Sequence, residues 1–399
     1  MTIAPASEFA QTSIAAPGIV GVDWEERVDY ARLREYRLAR ARQALEASDL
    51  GALLVFESSN IRYLTATHIG TWGYNKTERW ALLTRTGEPW IWDFGSAAKN
   101  HRLYSPWLKP EQSNGGNNGL QGAIAPTSGL PQGTAQQIAS ILKEEGVAGM
   151  PIGVDVIEMP MLRELEAAGI AVNDGQQVML NARQIKNKDE ILLLSQAAAM
   201  VDGVYQDISE ALKPGIREND IVALATRRLL EMGSEQVEAI NSIAGERCSP
   251  HPHVFSDRLI RPGDQAYFDI IHAFNGYRTC YYRTFAVGRA TNAHRDAYKK
   301  ARELIDSAIA MVKPGVTTDQ IKNSASPPRW KLSACNSGTA SGSAYTSAPS
   351  SVASTLWTTP SRSSREWFSL WRRTGQPATV TPLHESRKSW SSPTRVRNC

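Results

Sequence analysis

Apolar positions recur at helical spacing from about Tyr30 to Ala47, where Leu33, Tyr36, Leu38, Ala41 and Leu45 stand among arginines and predict an amphipathic helix. Gly51 then opens the unbroken apolar run Ala52-Leu53-Leu54-Val55-Phe56, which its length and flanks mark as a buried strand. Trp80-Ala81-Leu82-Leu83 and Trp90-Ile91-Trp92-Asp93-Phe94 predict two further strands, with Thr86-Gly87 as the hairpin turn between them. The polar run from Asn114 to Gly119 predicts a loop. A helix from about Thr134 to Glu145 and the strand Ile152-Gly153-Val154-Asp155 complete an alternating α/β unit ending near residue 175.

The second half opens with a well-signalled helix. Lys188-Asp189-Glu190 places acidic groups in its first turn, apolar residues continue from Ile191 to Leu212, and Lys213-Pro214-Gly215 stops it. The phrase Leu212-Lys213-Pro214-Gly215-Ile216, with Ile221 beyond, returns as Val312-Lys313-Pro314-Gly315-Val316 with Ile321. An echo of this kind fits an internal duplication, although Pro-Gly after a helix is common in itself. Between the two copies lie the strands Ala266-Tyr267-Phe268-Asp269-Ile270-Ile271 and Gly276 to Phe285, preceded by the turn Arg261-Pro262-Gly263-Asp264.

Charge divides the chain unevenly. Residues 322–399 hold 11 Lys and Arg against 2 Asp and Glu, so this stretch carries +9 while residues 1–321 carry −5. The same stretch has 18 serines and 5 of the 11 tryptophans but no Ile or Asp. Four cysteines, Cys248, Cys280, Cys335 and Cys399, are too few and too scattered for a disulfide framework, so reduced thiols are expected. No apolar run approaches a membrane span and the N-terminus lacks a secretory pattern, so the expected compartment is the cytoplasm.

Candidate chemistry is densest between Asn241 and Arg283. Asp269 is a carboxylate inside an apolar strand, where an isolated charge costs several kcal/mol unless something compensates it. The structural reading is an ion pair with Arg278 or Arg283, and the functional reading is a metal or substrate ligand. Pro250-His251-Pro252-His253 supplies two candidate acid/base groups, whose structural reading is a solvated pair of loop histidines.

These residues resemble the family of methionine aminopeptidase, aminopeptidase P, prolidase and creatinase. The family order of Pro-His, Gly-Asp, an Asp-ending strand, Gly-Tyr, a second Asp and Arg-Thr-Phe stands here as Pro250-His251, Gly263-Asp264, Asp269, Gly276-Tyr277 and Arg283-Thr284-Phe285. The phrase Asn60-Ile61-Arg62-Tyr63-Leu64-Thr65 resembles the N-terminal domain of the prolidase and creatinase branch. The resemblance covers roughly residues 30 to 321. It implies an N-terminal extension (1–29), a creatinase- or prolidase-type α/β domain (30–175) and an incomplete pita-bread catalytic domain (176–321), an α/β (α+β) fold class overall.

The resemblance further implies a hydrolase of a C–N bond acting on a dipeptide or small molecule, as a homodimer, with no nucleic acid or membrane partner. Asp269 would hold a divalent metal (Mn, Co or Zn) or a cationic substrate, with Cys280 as a second metal ligand able to bind zinc as a thiolate. His251, with His253 as the alternative, would handle protons or the tetrahedral intermediate, and Tyr277 and Arg283 would shape the site. The family's second bridging Asp falls on Cys280, and hard ions such as Mn²⁺ prefer carboxylates to thiolates, so an ordinary dinuclear site is not expected. A metal-free site of the creatinase kind is compatible with that replacement. The alternatives are a lyase of dimethylsulfoniopropionate, also a small cation, and a non-enzymatic binding protein descended from a peptidase.

The family's later Gly-His-Gly and two Glu residues are missing from residues 322–399 as written. Read from the third base of each codon, Cys335 to Ala340 allows Gln-Phe-Gly-His-Gly, Glu366 to Gly375 allows an apolar strand followed by Glu, and Leu383 to Thr394 allows Ala-Ala-Arg-Ile-Glu-Glu-Glu. Three matches in one frame and in family order point to a slip of the reading frame between about Lys322 and Cys335. The chain as written is then expected to be inactive, with a Ser- and Arg-rich tail that does not fold. A tail binding nucleic acid through its arginines and tryptophans is the rival reading, disfavoured because it leaves the body's strands without partners.

Overall fold

The computed structural model describes residues 27–70, 78–117, 124–249 and 252–325. Helix α1 (Tyr30–Glu46) buries Leu33, Ala41 and Leu45 on one stripe, and the Asp29 carboxylate caps it by accepting from the Arg32 amide. Strand β1 (Ala52–Val55) is buried on both faces, as its unbroken apolar run predicts. It sits inside a six-stranded sheet ordered β4-β3-β2-β1-β5-β6, with β2 (Trp80–Thr84), β3 (Trp90–Asp93), β4 (Ser113–Gly115), β5 (Ile152–Val154) and β6 (Val172–Asp174). β2 and β3 form the expected antiparallel hairpin, whereas β3–β4, β1–β5 and β5–β6 are parallel.

β4 occupies the start of the run expected to be a loop. Its backbone pairs Ser113 and Asn114 with Ile91 and Trp92, and the Ser113 hydroxyl donates to the Ala98 carbonyl. Polar side chains on a short edge strand carry no periodicity that would reveal it.

The helices that follow are α2 (Ser58–Thr65), α3 (Gly95–Tyr104), α4 (Leu130–Glu144), α5 (Met159–Ala167) and α6 (Gln176–Arg183). One face of the sheet packs against α4 and α5 through Trp80, Leu82 and Trp92, with Trp80 and Trp92 stacked at 5.9 Å. The other packs Leu53, Leu83 and Ile91 against α1 and α6. Because Val178, Met179 and Ala182 of α6 belong to this core, the first unit continues past residue 175.

The second unit begins with α7 (Lys188–Ala211), opened by a capping box between Asn187 and Glu190, and α8 (Glu218–Glu231). Both cover one face of an antiparallel sheet ordered β7-β8-β9, made of β7 (Gln236–Ala244), β8 (Gln265–Phe274) and β9 (Tyr277–Ala286). Val204, Ile208, Ile221 and Leu229 close that core on Phe268 and Ile270.

After the sheet come α9 (Asn292–Met311) and α10 (Thr318–Ala325). The repeated Lys-Pro-Gly phrase makes the same turn twice. Gly215 and Gly315 both sit at φ 90°, and the amides of Ile216 and Val316 donate to Lys213 and Lys313 carbonyls at 3.3 and 3.1 Å. The first helix–turn–helix is followed by the β7–β9 sheet. In the second, Ala301, Leu304, Ile305 and Ala308 share a face of α9, yet only Ala308 is buried.

Candidate active site

Register on the β7–β9 sheet fixes the surroundings of Asp269. Asn241 of β7 lies directly opposite it, Tyr282 of β9 lies opposite on the other side, and Cys280 is the next residue of β9 on that face. Asn241 Nδ2 donates to Asp269 Oδ2 at 3.0 Å, and the Cys280 thiol donates to Oδ1 at 3.3 Å. Asp269 is 1% exposed, so these two neutral donors compensate the buried carboxylate.

The ion pair expected with Arg278 or Arg283 is not formed. Arg278 instead pairs with Glu238 at 2.6 Å, and Arg283 lies on the opposite face, 3.6 Å from Asp202 of α7 and over the Tyr281 ring. The two-residue period of β9 puts Arg283 on the face away from Asp269, whereas Arg278 shares the Asp269 face but lies opposite Ala273, four residues along β8. The sequence carries no signal for Asn241, because a carboxamide becomes a partner of Asp269 only once the strands are paired.

Burial and the neighbouring Asp269 carboxylate push the Cys280 thiol up to about 12. The thiol, not the thiolate, therefore faces Asp269 at neutral pH. Tyr277 points away from this face. Its hydroxyl accepts from Arg37 Nε and Nη2 at 3.1 and 2.6 Å and donates to Glu190 Oε1 at 2.9 Å. His253 is exposed on the segment between β7 and β8, and His251 lies outside the described residues. That segment is held by Glu218, fully buried at the start of α8, which accepts from the Ala244 amide, the Ser256 amide and hydroxyl, and Arg247.

The phrase Asn60 to Thr65 lies within helix α2, and its side chains dock that helix. Asn60 Nδ2 and the amides of Phe56 and Glu57 donate to buried Asp155 at 2.8, 2.8 and 3.0 Å, which ties the start of α2 to the end of β5. Tyr63 donates to the Ala182 carbonyl at 3.0 Å. Arg62 reaches across to Glu235 of the second unit at 2.7 Å. Arg32 makes a second bridge, with Nε and Nη2 donating to Asp189 at 2.8 and 2.6 Å.

Comparison with known proteins decides what this arrangement derives from. A model described as the Creatinase/Prolidase N-terminal domain matches residues 37–185, and one described as Metallopeptidase family M24 matches 193–345. The chain belongs to the prolidase and creatinase branch of the pita-bread fold. It is 28% identical over 305 residues to "Dimethylsulfoniopropionate lyase DddP" of Roseovarius nubinhibens, which covers 73% of this chain and 67% of the lyase. It is 28% identical over 180 residues to "Probable dipeptidase PepE" of Mycobacterium bovis, spanning 44% of this chain and about half, 48%, of that protein. Among solved structures, the Xaa-Pro dipeptidase from Bacillus anthracis superposes with a TM-score of 0.58 at 18% identity, covering 73% of this chain and 76% of its own. The prolidase from Pyrococcus furiosus gives 0.55 at 18% identity over 71% of this chain and 76% of its own. These superpositions establish the fold.

M24 peptidases typically use a divalent ion such as Mn, Co or Zn. The described residues of this member do not fit such an ion. No group of three or more His, Cys, Asp or Glu side chains converges among them, and a thiol stands beside Asp269 where a hard ion prefers a second carboxylate.

Proposed function

We propose that this chain is the framework of a prolidase-type hydrolase of a C–N bond that, in the form written here, does not carry out the reaction. The observation that carries this reading is the closed set Asn241–Asp269–Cys280, in which the carboxylate is occupied by two neutral donors instead of sharing a centre with a second carboxylate. The framework in turn rests on the two family matches, which adjoin along most of the chain.

In the parent enzyme, Asp269 would take the cationic or metal-bound end of a dipeptide and His251 would manage protons. Tyr277 and Arg283 would act through the interface and the helix layer, since neither faces Asp269. The reading frame slips between about residues 322 and 335. Two features support this: the second helix–turn–helix leads into a stretch with no isoleucine and three valines where a second sheet would be due, and α9 leaves an apolar face uncovered among the described residues. The intact parent is cytoplasmic and dimeric.

A lyase acting on a small sulfonium cation is the second reading. It is favoured by the relative that this chain matches over 305 residues, and by the replacement at Cys280. The test is a panel of Xaa-Pro dipeptides and dimethylsulfoniopropionate, given to the chain as written and to protein made from a frame-restored gene with and without Cys280→Asp. The proposal predicts no turnover by the written chain and dipeptide hydrolysis by the restored protein, enhanced by the Asp. Dipeptide hydrolysis by the written chain contradicts it, and release of dimethyl sulfide alone favours the lyase.

A further inference from the structure

Between the two units lies a partly open cleft of about 350 Å³ that neither Asp269 nor Cys280 lines. Six basic side chains line it, Arg37, Arg62, Arg79, Arg183, Lys186 and Arg278, against two acidic ones, Glu190 and Glu235. The pairing within the wall is incomplete. Arg62 is matched by Glu235 at 2.7 Å and Arg278 by Glu238 at 2.6 Å. Arg79 is 2% exposed; its Nη2 donates to the Thr67 carbonyl and hydroxyl at 3.0 and 2.6 Å and Asp93 lies 3.6 Å from its Nε, which itself has no hydrogen-bond partner among the described residues.

Arg183 and Lys186 have no ion pair among the described residues. Arg183 Nε reaches the Met179 carbonyl at 3.4 Å, and the Lys186 ammonium turns to the Arg183 carbonyl. Arg37 spends its Nε and Nη2 on the neutral Tyr277 hydroxyl. Burial holds Arg79, Arg183 and Lys186 below their ordinary values, the mark of cations removed from water without full compensation. Serine hydroxyls at 58 and 59 add neutral donors to the same wall.

A cleft lined by more cations than anions, two of them (Arg183 and Lys186) half-buried with no ion pair among the described residues, carries a repulsion that a bound anion would relieve. We infer that the cleft between the units is a binding site for a small, multiply charged anion bearing phosphoryl or several carboxylate groups, held mainly by Arg183 and Lys186. Its occupant joins the N-terminal unit (α2, α6) to the second unit (β9 and the start of α7). It is separate from the Asp269 site and does not depend on what that site does.

The test uses the full chain and measures thermal unfolding against rising sodium phosphate or sodium citrate, each compared with sodium chloride at matched ionic strength. A saturable rise in Tm of several degrees is expected with phosphate, citrate or both, reached by about a hundredfold excess over Kd. Response to phosphate alone assigns a phosphoryl ligand, and response to citrate alone a polycarboxylate.

The double variant Arg183→Gln, Lys186→Gln should weaken the response at least about tenfold in concentration. Its Tm in chloride should match or exceed that of the parent, because uncompensated repulsion has been removed. Arg227→Gln, on the exposed face of α8, should respond as the parent does. A response equal in chloride, an undiminished response in the double variant, or none to either anion would overturn the proposal.

Discussion

Replacing Tyr277 by Phe isolates the claim that this tyrosine joins the two units instead of serving the Asp269 site. Its hydroxyl sits between two buried charges, accepting from Arg37 at 2.6 and 3.1 Å and donating to Glu190 at 2.9 Å, with Arg37 at 6% and Glu190 at 1% exposure. Hydrogen bonds to charged groups contribute about 1.5–3 kcal/mol each, and a buried group stripped of its partner costs the full desolvation of that group. Simple loss of the bridge therefore costs about 3–5 kcal/mol. Opposing this, Arg37 and Glu190 can close on one another once the hydroxyl is gone, and such a direct pair limits the loss to about 1–2 kcal/mol. The expected result is a destabilisation of about 1–5 kcal/mol, measured as a lower urea midpoint with an unchanged slope. Stability within about 0.5 kcal/mol of the parent would refute the assignment of Tyr277 to the interface.

Other outcomes follow from the same geometry. Asp155→Ala should cost about 3 kcal/mol or more, read as a fall in the urea midpoint, because it orphans two amides and the Asn60 carboxamide at the start of α2. Glu218→Gln should speed amide exchange across residues 252–258 by more than tenfold while β8 stays protected, since three donors from the β7–β8 segment and the last amide of β7 converge on its carboxylate. Burial pushes the Cys248 thiol up to about 11, so its thiolate is scarce at pH 8 and emerges only as the pH rises toward 11. Alkylation followed by peptide mapping should show it reacting on the order of a hundredfold more slowly than a free thiol at pH 8.

Much of the first unit was legible because its strands are long apolar runs bounded by turn residues: β1, the β2–β3 hairpin and β5 lie where the pattern places them. β4 was not, since its pairing is carried by backbone groups under polar side chains. Asp269 announced itself as a charge in an apolar strand, but its compensation could not be read. Arg278 and Arg283 are the expected counter-charges, yet strand alternation turns Arg283 to the helix layer, Arg278 sits four residues along the sheet beside Glu238, and a carboxamide on a strand about thirty residues away takes the role. The basic cavity was equally invisible, because its cations come from α1, α2, β9 and the segments around β2 and α6, and only the docking of the two units brings them together. The Lys-Pro-Gly echo was legible in full, and the two turns share their backbone geometry.

The most direct test of the account is calorimetric titration of the full chain with Mn²⁺ and Zn²⁺, repeated with Asp269→Asn. A carboxylate already satisfied by Asn241 and the Cys280 thiol predicts no saturable site tighter than about millimolar for either ion, and no difference between the two proteins. Stoichiometric binding at micromolar concentration that Asp269→Asn abolishes would contradict it, and would mean that the written chain keeps a working metal centre.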